Sequence, residues 1–319
     1  MLETNLRINL IACIGPLVTL ICLSSAAAQK PSARSSPLDY TSRPAPVVSD
    51  EARERMEQQL DAARAKLKNN PSDPDAVIWV GRRLAYLGRF AEAIAVYTEG
   101  IKKFPEDARF YRHRGHRYIT LRKFNSAIND LRRAASLIKG KADEIEPDGQ
   151  PNSRNIPTST LKFNVWYHLG LAYYLNGNLR RALNAYRECL KVSNNPDAMV
   201  ATSHWLYMTL KLMHRDREAA RMLVPIRQDM DVIENDAYYQ LLLMYKRQLS
   251  PESLLENAVK QGNSPGAHSI LYGVGNWYRY NHRADRAGEI FQQILSSDQW
   301  TSFGYVAAEA NLRRLKPTP

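Results

Sequence analysis

The chain has 319 residues, of which 44% are hydrophobic and 24% charged, with a formal net charge of +12. Its 15 glycines and 17 prolines are too few for a collagen-like or wholly disordered chain. The apolar content supports a sizeable core, in one elongated domain or two compact ones.

Met1 to Arg7 is short and carries one cation, Ile8 to Leu23 is a mostly apolar run, and Ser24 to Ala28 are all small. This three-part pattern predicts a signal peptide over 1–28, cleaved after Ala28. It predicts export to a periplasm or the medium, with no transmembrane span left after cleavage. A retained anchor is the alternative, against which Pro16 and the small-residue exit both weigh. Leu10-Ile11-Ala12-Cys13 is similar to a lipoprotein box, but only a handful of apolar residues precede Cys13. Cys13 and Cys22 would leave with the signal, so Cys189 remains alone and no internal disulfide can form. Cys189 falls in mid-helix where a small packed residue is needed, which reads as core rather than nucleophile. In a cytosolic chain the basic balance would suggest nucleic acid. In an exported one it points to acidic protein or peptide partners, membrane surfaces or anionic wall polymers, and a solvated basic surface is the plainest account.

Residues 29–50 are rich in Pro, Ser and Ala and read as a flexible linker. Ser49 or Asp50 then caps a helix running to about Lys68. From there the chain repeats. Gly81, Gly115, Gly170 and Gly275 are each followed twelve residues later by an alanine: Ala93, Ala127, Ala182 and Ala287. Sixteen residues after each glycine stands a large apolar residue: Tyr97, Leu131, Tyr186 and Phe291. The spacing predicts pairs of antiparallel helices, with small residues where two helices approach and large ones filling the space between. Gly88 and Gly177 suit a left-handed turn inside a pair, and Pro71, Pro105 and Pro196 follow the second helix.

The interval from Gly81 to Gly115 is 34 residues, the period of the tetratricopeptide repeat. Trp166-Tyr167-His168-Leu169-Gly170-Leu171-Ala172-Tyr173-Tyr174 is similar to that family's first helix, and Arg180 to Tyr186 to its second. The chain thus resembles the family over 51–315, with clear units at 74–107, 108–141, 163–196 and 268–299. Degenerate units fit near 200–233 and 235–262, the helix at 51–68 looks like a half-unit cap, and Trp300 to Arg314 like a closing helix.

The resemblance implies an all-α solenoid of helix pairs in a right-handed superhelix, with each first helix lining a concave groove. Second, fifth, ninth and twelfth positions of the units then face that groove. They form a basic region of Arg82, Arg109, Arg112, His113 and His116, and an aromatic one of Tyr167, His204, Tyr239 and Tyr272, with Asn276 beyond. Arginine's planar fork suits carboxylate or phosphate, and tyrosine suits peptides and sugars alike. The Lys and Asn set with which some tetratricopeptide domains clamp a terminal carboxylate is replaced here by Arg and His.

Gly115 and Gly170 are 55 residues apart, 21 more than one period. The excess, residues 140–160, carries several carboxylates and prolines and reads as an inserted loop, a kind of segment that is usually functional or disordered. Charge attraction would hold it over the arginines. Glu144-x-Glu146-x-Asp148-Gly149 opens like a calcium loop, but Asn155 stands where the bidentate Glu belongs. No Gly-x-Ser-x-Gly, His-Glu-x-x-His, phosphate loop or Cys-x-x-Cys occurs. The sequence therefore indicates an exported binding scaffold without catalytic residues, metal or cofactor. The alternative is an enzyme whose site is formed by His113, His116 and the inserted loop.

Overall fold

The computed structural model describes residues 39–315, so the signal-peptide segment and the first part of the linker lie outside the described residues. Fourteen α-helices follow one another: α1 Asp50–Asn69, α2 Pro74–Tyr86, α3 Phe90–Lys103, α4 Ala108–Thr120, α5 Phe124–Leu137, α6 Leu161–Leu175 and α7 Leu179–Val192. Then come α8 Pro196–Leu212, α9 Asp216–Met222, α10 Asp236–Tyr245, α11 Pro251–Lys260, α12 Pro265–Tyr280, α13 Ala284–Leu295 and α14 Phe303–Leu315. The only β-type pairing among the described residues is one antiparallel bridge, Ile145 to Thr160. No described helix is long and apolar enough to cross a membrane.

Local chemistry sets the helix starts. Ser49, Asp73, Asp107, Thr160, Asn195 and Ser264 each accept a backbone N–H of the first turn. Each satisfies a donor that the helix itself leaves unpaired. Proline opens α2, α8, α11 and α12, where no N–H is needed.

The sixteen-residue spacing has a direct physical cause. A Cβ on Gly81 would lie 2.3 Å from the Tyr97 ring, one on Gly170 2.5 Å from Tyr186, and one on Gly275 2.6 Å from Phe291. One on Gly115 would lie 2.8 Å from Leu131. In each pair the large residue of the second helix rests on bare backbone of the first, so any side chain there would overpack the seam. The alanines at the twelve-residue offset are fully enclosed at the same seams. Turns inside the pairs use a left-handed residue, Gly88 (φ 76°) and Gly177 (φ 82°) as the sequence suggests. Arg122, His214, Arg247 and His282 adopt the same conformation at φ 56–62° without glycine's freedom.

First helices α2, α4, α6, α8, α10 and α12 pack side by side along the inner face. In the second half they converge: α8 touches α12 directly, past α10, and α14 turns back onto α12, α13 and α6. The two ends of the array also meet. Arg122, in the turn after α4, donates to Glu309 of α14 at 2.8 Å and to the Trp300 carbonyl at 2.8 Å.

The expectation of a flexible linker over 29–50 is corrected for residues 39–49, which form a strap along this closure. The Tyr40 hydroxyl bonds to Glu309, and Trp300 Nε1 donates to the Pro44 carbonyl at 2.7 Å. Tyr40 is buried against Trp300, with Arg122 stacked on its ring at 4.1 Å. One aromatic residue in a Pro- and Ser-rich stretch is enough to anchor it.

Candidate functional site

The insert runs from the end of α5 to the start of α6 and crosses the inner face. Arg82 Nη1 donates to the Pro147 carbonyl at 2.8 Å, and Arg83 Nη1 to the Gly149 carbonyl at 3.0 Å. Gly149 approaches so closely that a Cβ there would sit 1.9 Å from the Tyr86 hydroxyl. Glu146 enters further. Its carboxylate lies 2.9 Å from Arg112 Nη2 and accepts from Asn164 Nδ2 at 3.1 Å, with the Arg112 and Glu146 side chains only 9% and 10% exposed. On the far side, Asn152 and Thr158 donate to Glu234 at 2.6 Å, and Arg154 pairs with Asp231 at 2.7 Å in the α9–α10 connection. The loop therefore bridges α2 and α4 to the segment before α10.

Under it lies a basic chamber. Arg82 stacks on Trp79 at 4.4 Å and donates to the Tyr86 hydroxyl at 3.2 Å. Arg112 contacts His113 Nδ1 at 2.9 Å, and His113 stacks on Tyr97. His116 lies between His168, at 4.4 Å, and Phe303 of α14, at 5.4 Å. His168 Nδ1 donates to the Asn164 carbonyl at 2.6 Å, which leaves Nε2 without a proton in the neutral ring. Burial, reinforced by the neighbouring arginines, holds His113, His116 and His168 well below the ordinary imidazole range. The chamber's cations are therefore arginines.

The sequence-derived residues divide. Arg82, Arg112, His113 and His116 come together here. Arg109 does not: it is tied to Asp107 and Asp75 at 2.6 and 2.5 Å on the helix edge, because its own N-cap aspartate captures it. The aromatic positions are not an open surface. Tyr167, His204, Tyr272 and Asn276 are buried, His204 at 0% exposure. Tyr167 donates to the Tyr238 hydroxyl, Tyr272 shares a hydrogen bond with Tyr174, and Asn276 accepts from Asn311 of α14. Tyr239 is half-buried and donates to the Arg227 carbonyl, while Tyr238 stacks on His204 at 4.8 Å. The register of that degenerate unit is thus one residue off. Glu144, Glu146 and Asp148 do not converge: Glu146 points in, while Asp148 accepts from the Gln150 N–H. Among the described residues no group of three His, Cys, Asp or Glu side chains could hold a metal ion.

Sequence reasoning missed Arg117, His168 and Phe303. The first two follow a groove position by one residue, and a helix face is wide enough to present both. Phe303 carries no local signal, since only the return of α14 brings it in. A large open cleft, ≈ 1070 Å³, lies elsewhere, between α5 and α7, with Trp166 and Tyr173 on its floor and Arg132, Lys139, Lys162 and Lys191 around it.

The tetratricopeptide repeat family matches residues 163–196, and again 50–108 and 81–136. No curated protein matches the sequence. Similar solved structures include YrrB, a tetratricopeptide-repeat protein with an unusual peptide-binding site, at 15% identity and TM-score 0.42, covering 79% of this chain and 99% of that one. A tetratricopeptide repeat protein from Parabacteroides merdae matches at 14% identity and TM-score 0.46, covering 81% and 94%. MamA matches at 15% identity and TM-score 0.41, covering 64% and 99%. This chain thus carries tetratricopeptide repeats over residues 50–136 and 163–196, in an all-helical array whose pairs seat a glycine of one helix against a large side chain of the next.

Proposed function

We propose that the protein is an exported scaffold that binds an acidic segment of a partner protein on the basic inner surface of α2 and α4, with the insert as a displaceable cover. One observation carries this reading. Glu146 of the insert occupies the position at Arg112 that a partner's carboxylate would take. The chain thus covers its basic surface with its own acid, and a partner richer in carboxylates competes by mass action. The cover is held mainly by polar contacts, several of them exposed, and leaves Ile145 and Ile156 in solvent, which suits a segment that can lift. Export rests on the segment over 1–28.

The enzyme reading needs an acid and a base within reach of each other. His113 Nε2 and Glu146 stand 4.0 Å apart, and the nearer partner of Glu146 is Arg112, which favours ion pairing over proton transfer.

Fluorescence polarisation with a labelled peptide of alternating Glu and Ala tests the proposal on the full chain. Glu146→Gln should tighten binding, Arg112→Ala should weaken it at least tenfold, and rising salt should weaken it further. Binding indifferent to all three would overturn it. Loss on Lys139→Glu alone would move the partner to the outer cleft.

A further inference from the structure

Adjoining the basic chamber, and sharing Tyr86 and His116 with it, is a cavity of ≈ 330 Å³. Five stretches of chain enclose it: the strap at Ala45 to Val48, α1, the end of α2 with its turn, α4, and the approach to α14, with Gln150 of the insert at its edge. We propose that this cavity is a binding site for a small oxyanion, a phosphate- or carboxylate-bearing molecule, with Arg117 as its principal ligand and Arg53 at the rim.

The argument begins with charge. Among the described residues the Arg117 guanidinium has no hydrogen-bond or ion-pair partner, and its centre lies 5.6 Å from the centre of the Phe90 ring. The neighbouring enclosed arginines are all engaged: Arg82 with Pro147, Arg112 with Glu146, Arg114 with Asp130 and Arg122 with Glu309. Enclosure lowers the Arg117 pKa to about 10, and the positive charges of Arg112 and Arg82 act in the same direction. An arginine partly enclosed in this way, without a counter-ion, carries a desolvation cost in the empty fold. An anion in the cavity offsets that cost.

The rest of the lining points the same way. It contains no aspartate or glutamate. Arg53, exposed on α1, also lacks a carboxylate partner among the described residues. The Tyr86 oxygen already accepts from Arg82, so its own proton is free to be donated. Gln150, Gln299 and Thr301 make no side-chain hydrogen bond with described residues and add further donors. Two arginines and several neutral donors without an acceptor-only group is the composition of an anion site. A neutral sugar would leave the charge unanswered. The volume suits a small molecule.

This site stands apart from the Arg112–Glu146 contact, and either can fail without the other. Its occupant would join five segments distant in sequence, so binding should stabilise the closed array.

Isothermal titration of the full chain with inorganic phosphate, and separately with succinate, in a chloride background tests the inference and distinguishes the two ligand chemistries. Saturable one-site binding of at least one of them is expected. Arg117→Gln should weaken it at least tenfold, Tyr86→Phe a few-fold, and Glu146→Gln little. Without added anion, Arg117→Gln should melt no lower than the parent protein, since it removes an unpaired cation. The inference is overturned if neither anion binds at millimolar concentration, or if Arg117→Gln leaves binding unchanged. A lower melting temperature for the anion-free Arg117→Gln protein would also overturn it, because the arginine would then be held by the fold itself.

Discussion

The inner positions of α2 and α4 and those of α8 and α12 are equivalent in the repeat and opposite in chemistry. In the first pair they hold Arg82 and Arg112, covered by an inserted loop, and His116, which packs on His168 and Phe303. In the second they hold His204, Tyr272 and Asn276, sealed by Trp205, Tyr238 and Asn311. The difference lies in how closely the first helices converge. Where α8 reaches α12 directly, an inward side chain has only other side chains to meet, and aromatic residues fill the space. Where the insert replaces that contact, polar side chains survive because a polypeptide with free carbonyls and a carboxylate satisfies them. A repeat position therefore specifies a direction, and the tightness of the coil decides whether that direction ends in core or in a site.

Substitutions can break this comparison. The largest effect is expected in the sealed half. Trp205 is buried in edge contact with Tyr174 at 5.2 Å, and Trp205→Ala should cost about 3–5 kcal/mol. Trp79, half-buried beneath Arg82 and Arg83, should cost about 1–2 kcal/mol on the same change. Chemical denaturation of both variants measures this, and equal losses would erase the distinction between the halves.

The left-handed turns offer a second contrast. Arg122 tolerates its conformation because its side chain joins the two ends of the array through Glu309. Arg122→Gly relieves about 1–2 kcal/mol of backbone strain. It also breaks the buried Arg122–Glu309 pair, a loss toward the lower end of about 3–5 kcal/mol because Arg313 and Tyr40 still bond to Glu309. It should therefore lower the melting temperature. His214 has the same backbone and an exposed side chain, so His214→Gly should raise stability by about 1 kcal/mol. Changes of the same sign would mean that Arg122 does not hold the closure.

Much of this was legible in the sequence. The glycine and the large residue sixteen positions later identify both the helix pair and the atoms that touch, because a 34-residue unit repeats one contact geometry. The insert was visible as surplus length rich in acids, and its approach to Arg82 and Arg112 follows from charge. Tyr238 could not be separated from Tyr239, since a degenerate unit lacks the glycine that sets the register. Tyr40 and Phe303 were illegible for another reason: their partners lie across the closure, hundreds of residues away in the case of Tyr40 and Glu309, and no periodic pattern encodes the meeting of two ends.

A smaller effect concerns acidity. His113, His116, His168 and His204 are kept neutral by burial, their folded pKa values lying below the ordinary 6.5 and that of His204 at about 3. Below that ordinary value the unfolded chain takes up protons that the folded chain refuses. Stability present above about pH 6.5 should therefore be lost as the pH falls. Thermal melts between about pH 7.5 and 5 should show the decline, with a shallower slope in His168→Gln. A flat or rising profile would mean that these rings are charged in the fold.

The central claim is that Glu146 holds the insert over a basic surface by standing in for a partner's carboxylate. Hydrogen–deuterium exchange across 140–160 tests it most directly, because in the seated loop the Glu146 amide is bonded to the Ser159 carbonyl and the Leu161 amide to the Glu144 carbonyl. The account predicts faster exchange there in Glu146→Gln, and in the parent protein when the Glu-Ala peptide is added, with α12 and α14 unchanged. Protection over the loop that is the same in all three samples would contradict it.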